Sequence, residues 1–311
     1  MFSAARAPAR SLKRSGLETQ QAHWGVIFAL PAILGFLIFT LGPMLASLVL
    51  SFTDYKPIST EINFVGLQNY LTLFKGDDFF FYKSLRVTIY YVILSVPLAI
   101  VVSFLMAMVL NKNIVAKGFF RSVFYLPTMV PIVATAMIWT WLLDPDMGLL
   151  NETLRMVGLP TSKWIYAENT AVPSFAIINL WTSGGTMIIF LAGLQGVPRT
   201  LYEAIDVDGG NAWHKFLHIT VPMMTPTIFY NTVMGFISGF QIFTQTYIMT
   251  QGGPNNATLF YCYYIYRTGF NNQYMGLASA IAWVLFVIIL VITLLLFKSS
   301  NSWVYYAGGE D

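Results

Sequence analysis

The chain has 311 residues, of which 56% are hydrophobic and 10% charged, where an ordinary soluble domain carries about 25% charged residues. Long charge-free runs in such a composition exclude a soluble core and make this an integral membrane protein. A net charge of +3 spread along the chain is too small and dispersed for a nucleic-acid partner, and the single cysteine, Cys262, excludes an internal disulfide framework and reads as a small apolar packing residue.

Residues 1–23 read as a cytoplasmic tail carrying Arg6, Arg10, Lys13 and Arg14. Between Glu18 and Asp54 there is no Asp, Glu, Lys or Arg. The apolar part, residues 24–52, exceeds the roughly 7 to 15 residues of a signal-peptide core and is expected to be an uncleaved first transmembrane helix. Residues 53–83 follow as an outward-facing loop. A second span is expected from Val87 to Leu110, between Arg86 and Lys112, and a third from Ser122 to Leu143, between Arg121 and Asp144; each suits one crossing of about 20 residues. Pro97 in the second and Pro127 with Pro131 in the third imply bends. A fourth span covers Val172 to Leu194, a fifth Val221 to Tyr247 and a sixth Leu277 to Phe297, the last two separated by the turn-rich TQGGPNNAT of residues 250–258. Residues 299–311 form a second tail. Only helices and closed barrels satisfy the backbone in lipid, and no segment shows barrel-like alternation, so the fold class is all-α with six transmembrane helices.

Lys and Arg near the span ends set the orientation. The first tail is basic, and the loop between spans two and three carries Lys112, Lys117 and Arg121 with no acid, so both belong in the cytoplasm. The loop between spans three and four has Asp144, Asp146, Glu152 and Glu168 against Arg155 and Lys163 and faces outward. Both termini are then cytoplasmic, and so is the stretch between spans four and five.

That stretch reads LYEAIDVDGGNAWHKF from residue 201 to 216. Pro198 suits a helix start, and Thr200 with Glu203 has the spacing of a capping box. Leu201, Ala204 and Ile205 make a small apolar face, Gly209 and Gly210 break the helix, and Asn211 can cap a second one bearing Ala212, Phe216 and Ile219. Pro222 follows where the fifth span begins. The expected product is a helix-turn-helix knob in water; an amphipathic element on the membrane or a plain connector would share these spacings. His214 and His218 stand at i and i+4 without a third ligand at a telling spacing, and read as polar-face residues rather than a metal site.

Glu203 to Pro222 resembles the EAA signature of the permease subunits of binding-protein-dependent ABC importers. Glu203, Ala204, Asp208, Gly209, Phe216, Ile219 and Pro222 stand in the matching places; the departures are Ile205 and Gly210, each where the pattern has Ala. VGLQNY at residues 65–70, KGFFRSVFYLP at 117–127, LQGVP before the signature and YRTGF at 266–270 resemble the carbohydrate-uptake branch, which includes maltose, lactose and glycerol-3-phosphate permeases. The resemblance implies a type I ABC importer permease core over residues 84–298. It implies a coupling loop, residues 199–220, seated in a groove of a separate ATPase, with Glu203 at the contact, Gly209 in the turn, and Ala204, Ile205 and Phe216 packed into the groove. It further implies a heterodimer with a second homologous permease, two ATPase copies that bind the ATP and magnesium, an external solute-binding protein, a sugar or oligosaccharide as substrate, and the bacterial inner membrane as location. The chain itself should need no cofactor and do no chemistry, in keeping with its lack of a G-x-x-x-x-G-K-[ST] phosphate loop or an H-E-x-x-H motif.

At 100° per residue, Thr227, Asn231, Ser238, Gln241 and Gln245 of the fifth span share an arc of about 80°. Amides suit the donor and acceptor demands of sugar hydroxyls, so this stripe is a candidate pathway lining, with interhelical hydrogen bonding as the competing reading. The GFISG of residues 235–239 reads as close helix packing. Asn179, Ser183 and Thr186 form a shorter stripe in the fourth span beside Trp181; Trp181, Phe240 and Tyr247 are candidate rings for stacking on a sugar. Two other classes compete: an ion- or proton-coupled sugar carrier, which would need ionisable groups that the expected spans lack, and an intramembrane enzyme, for which the acids Asp144, Asp146 and Glu152 are thin material.

Overall fold

A computed structural model describes residues 16–59, 61–76 and 78–305. Apart from one isolated antiparallel bridge, Thr53 to Phe64, its regular structure is helical among the described residues. Two compact units are found, one ending at Leu50 and the other beginning at Ser51.

The first unit holds α1 (Gly16–Phe36), a π-helical turn at Leu37–Leu41 and α2 (Gly42–Leu50). Together they give an apolar stretch, His23–Leu50, that is 28 residues long and none of whose residues is buried, long and apolar enough to cross a membrane.

The second unit opens with α3 (Gln68–Phe74) and is organised around α4 (Phe79–Asn111), a 33-residue helix. It starts eight residues before the expected Val87 because Asp78 caps it: Oδ1 accepts from the backbone N–H groups of Phe80 at 2.9 Å and Phe81 at 3.2 Å. The expected third span is broken, since α5 (Lys117–Met129) and α6 (Ile132–Leu142) meet at 99°. Pro131 forces Val130 into an extended conformation (ψ 128°) and donates no hydrogen bond, so the helix cannot run through. A short helix, α7 (Leu149–Met156), leads to α8 (Glu168–Trp181) and α9 (Gly184–Gln195), which meet at 49° within the expected fourth span. Gly184 is required at that bend, because a Cβ there would collide with the Phe124 carbonyl of α5.

Then come α10 (Arg199–Val207), α11 (Ala212–Lys215) and α12 (Val221–Phe240). The expected fifth span ends seven residues early. The chain leaves the helix at Gln241 and re-forms one in α13 (Thr244–Met249), before α14 (Tyr261–Tyr266) and the 26-residue α15 (Met275–Ser300). Among the described residues three helices are long and apolar enough to cross a membrane, or five with each bent pair counted once. Of the six expected spans, the fifth falls outside this set: α12 has 20 residues, but Asn231, its threonines and its prolines dilute its apolar character.

Two cores hold the second unit together. One gathers Phe81, Tyr91, Val92 and Val96 of α4 with Phe175, Phe260, Tyr261 and Ile281; the other gathers Phe104 and Leu110 of α4 with Met187, Phe190, Met224 and Ile219. In lipid, close fit rather than exclusion of water drives such contacts, and small residues permit it. A Cβ on Gly235 would lie 2.8 Å from Val96 Cγ1, and one on Gly239 3.1 Å from Val92 Cγ2, so the GFISG segment is the close-packing surface its spacing implies. Cys262 is partly buried, its thiol 3.6 Å from the Phe240 carbonyl.

Candidate functional site

Two places carry the candidate chemistry, a knob between α9 and α12 and a cavity beside α4. In the knob, α10 begins with Pro198 as its N-cap (φ −60°, ψ 130°) and no side-chain cap. The expected Thr200–Glu203 box is therefore not formed: Thr200 already lies inside the helix, where its hydroxyl cannot take the cap position. The helix ends in a Schellman arrangement. Gly209 has φ +72°, its N–H bonds the Asp206 carbonyl at 3.2 Å, and the Gly210 N–H bonds the Ile205 carbonyl at 2.8 Å. Asn211 caps α11 as expected, its Oδ1 accepting from the N–H groups of Trp213 and His214 at 3.0 Å each. His214 closes the box from its side chain and stacks on His218 with ring centroids 6.0 Å apart.

The two arms are tied together. Lys215 Nζ lies 2.5 Å from Asp206 Oδ1, a solvated pair worth at most about 1 kcal/mol. Tyr202 and Thr220 share a hydroxyl hydrogen bond of 3.1 Å. A π-helical turn at Phe216–Thr220 then runs directly into α12, with Pro222 in its first turn. The knob and α12 are one continuous piece.

Its surface differs from the expected one. Glu203, Ala204, Asp208 and Gly209 are exposed, but Ile205 and Phe216 pack onto the second core and Ile219 is buried within it; the Phe216 ring lies 6.4 Å from Phe104. The large apolar side chains that face out furthest are Val207 (88% exposed) and Trp213 (64%), with Leu201 of the expected apolar face and Leu217 also exposed. The sequence reading missed Val207 and Trp213, although Val207, four residues after Glu203, shares the exposed face of α10.

The cavity holds about 340 Å³ among α4, α6, α8, α9, α12 and α13. Asn179, Ser183, Thr186, Asn231, Ser238, Gln241 and Gln245 all line it, so the two expected stripes converge. They do so for a different reason than a straight helix. The break at Gln241 (φ −99°, ψ 14°) lets α12 and α13 approach the cavity separately. Asn231 is 6% exposed and its Nδ2 donates to the Thr227 carbonyl at 2.8 Å; the amides of Asn179, Gln241 and Gln245 have no protein partner among the described residues. Tyr91, Ser95 and Thr182 also line the space. Nothing in α4 marked Tyr91 and Ser95, which lie within an unbroken apolar run. No acidic or basic side chain is among the lining residues.

Four expected members lie elsewhere. Trp181 meets Trp139 edge-on at 5.9 Å, Tyr247 stacks on Phe243 at 5.6 Å, and Phe240 is 3% exposed within the first core. Thr227 sits at the contact with Gly193, where a Cβ would come within 2.8 Å of its hydroxyl.

Outside the helices, Asp54 accepts from Asn63 N at 2.7 Å and from Asn63 Nδ2 at 3.2 Å. These bonds, the backbone one foremost, hold its carboxyl below its ordinary pKa.

Known proteins bear on this arrangement. Residues 99–301 match the family described as binding-protein-dependent transport system inner membrane component. The chain is 40% identical to the probable ABC transporter permease protein YesP of Bacillus subtilis, over 97% of this chain and 96% of that one. It is 34% identical to the arabinooligosaccharides transport system permease protein AraP of Bacillus subtilis, over 89% and 88% of the two chains. A chain in the crystal structure of a bacterial alginate ABC transporter, in complex with an alginate pentasaccharide-bound periplasmic protein, superposes with a TM-score of 0.80 at 25% identity, covering 93% of this chain and 97% of that one. These matches displace the ion-coupled carrier and the intramembrane enzyme, and the chain belongs to the inner-membrane permease components of binding-protein-dependent ABC transporters.

Proposed function

We propose that this permease forms one wall of the pathway through which an ATP-driven importer moves a neutral sugar or oligosaccharide. The observation that carries the reading is the cavity lining: amides and hydroxyls converge there without a charged group. Such a lining offers each sugar hydroxyl a neutral hydrogen bond worth about 0.5–1.5 kcal/mol. Relatives named for arabinooligosaccharides and lactose support the class.

The knob, residues 199–220, is the coupling element and lies in the cytoplasm with both termini. Closure of two ATPase subunits, which hold the ATP and magnesium, moves the groove that grips the knob. Because the knob continues into α12, the movement reaches Asn231 and Ser238 in the cavity wall without an intervening joint, and the bundle changes packing around the solute. A second homologous permease supplies the opposite wall and an external binding protein delivers the sugar. Residues 84–298 form the permease core, preceded by the first span at residues 24–52.

Reconstitution in liposomes tests this. ATP hydrolysis is expected to rise only when the permease pair, the ATPase and the sugar-loaded binding protein are all present. A permease pair that binds no ATPase, or hydrolysis indifferent to the loaded receptor, would count against it.

A further inference from the structure

The faces on which α6 and α13 meet carry buried polar groups that have no hydrogen-bond partner among the described residues. These are the Thr135 hydroxyl and the Trp139 indole N–H on α6, and the Thr246 hydroxyl on α13. Thr135 is 1% exposed, Trp139 8% and Thr246 0%, whereas most buried polar groups in proteins are hydrogen-bonded. A helical threonine can bond the carbonyl one turn back, as Thr140 and Thr232 do at 2.8 and 2.7 Å. Thr135 and Thr246 forgo that bond.

The seam begins at the cavity. Ile132, the first residue of α6, and Gln245 of α13 both line it; the buried Thr135 follows Ile132 by about one turn and the buried Thr246 follows Gln245 directly. Ser95, 1% exposed, stands in the wall of the same cavity. Both helices are jointed at the cavity end, α6 by the break at Val130 and Pro131 and α13 by the break at Gln241 to Phe243. At the far end Trp139 meets Trp181.

We propose that the α6–α13 seam is a closed section of the solute pathway: a hydroxyl-binding track that opens beside the cavity during the transport cycle and takes water or the hydroxyls of the passing sugar. The proposal rests on the cavity being the solute site. Each group left unpartnered weighs about tenfold against the shut packing, and the packing of Ala136 and Met249 offsets it. Opening gives the hydroxyls partners, which keeps the two packings close enough in energy to exchange.

Cysteine accessibility in the complete transporter tests this. Cys262, the chain's single cysteine, is replaced by Ser in cysteine-free partners, and single cysteines are introduced as Thr246→Cys, Thr135→Cys and Ser95→Cys. With a small charged methanethiosulfonate, the first two should react slowly at rest and at least about tenfold faster during turnover with loaded receptor, the weight of one restored bond. Protection by saturating sugar identifies the solute in the track; acceleration without protection identifies water. If Ser95→Cys responds and neither Thr246→Cys nor Thr135→Cys does, the seam is static and the proposal falls while the cavity reading stands. If Ser95→Cys reacts in no state, the cavity is not on the pathway and both fall. Thr246→Val and Thr135→Val give the second measurement: unchanged or raised thermal stability with slowed turnover is expected, and lowered stability with unchanged turnover would overturn the proposal.

Discussion

The Cγ2 methyl of Ile205 fills the space that a Cβ on residue 210 would need, so the side chain of one and the bare backbone of the other, Gly210, are complementary across the turn of the knob. These are the two positions at which the signature of the resembling permeases has Ala. The chain departs from the pattern twice, once larger and once smaller, and the departures fit each other.

Gly210→Ala alone should therefore overpack the turn, where the Ile205 carbonyl also lies 3.2 Å from the added Cβ, at a cost of about 1–3 kcal/mol. In an Ile205→Ala background, which itself gives up packing on the second core, Gly210→Ala should cost much less. A double-mutant cycle on thermal unfolding of the solubilised permease complex checks this; additive effects would show that the pair is not coupled.

Glu203→Lys and Gly209→Pro should leave membrane insertion intact and abolish ATPase docking. The first reverses an exposed charge. The second removes the N–H that bonds Asp206 and demands a negative φ where the backbone has +72°. Copurification of the ATPase with each variant is the readout, and normal docking by both would contradict the assigned role.

Because Val207 and Trp213 face outward while Ile205 and Phe216 face the core, Trp213→Ala and Val207→Glu should weaken ATPase affinity by more than 1 kcal/mol, about fivefold or more, with permease stability unchanged. Phe216→Ala should instead destabilise the permease, by about 3–5 kcal/mol if its site behaves as a filled core. The reverse pattern would return the contact to the sequence expectation.

Gln241→Leu and Gln245→Leu should alter sugar affinity or range more than assembly, since their amides reach the cavity without a protein partner. Unchanged uptake with broken assembly would make them interhelical contacts.

The depressed Asp54 carboxyl gives a pH dependence. Its ordinary value is 3.8 and the folded value lies lower, so its support of the 51–64 loop is complete above the ordinary value and is lost as pH falls through the folded one. Exchange protection of the Asn63 amide should follow that titration, and Asp54→Asn should remove its pH dependence. A variant that keeps the same acid transition would contradict it.

Much of this was legible in the sequence because it is local. The helix break at Gly209 and the Asn211 cap depend on residues within five positions; the fifth-span stripe follows from straight-helix spacing, but its Gln241 and Gln245 reach the cavity through the break after Phe240 instead. The misreadings concern what lies across the fold. Pro97 sits inside an unbroken α4, while Pro131, with Val130 extended before it, stands between two helices that meet at 99°, and the sequence alone does not tell the two prolines apart. Ile205 and Phe216 turn inward because Phe104 of α4 stands behind the knob, and the periodicity of residues 201–216 carries no trace of it. Tyr91 and Ser95 look like the rest of an apolar helix until α12 and α13 bring the amides opposite them.

The central claim, that a motor in another chain drives the cavity through the knob, is tested most directly by sugar uptake into liposomes holding the whole transporter. Uptake should require ATP on the side of the knob, ignore ion gradients, and disappear with Gly209→Pro. Uptake that persists without ATP under an ion gradient, or proceeds undiminished in that variant, would contradict it.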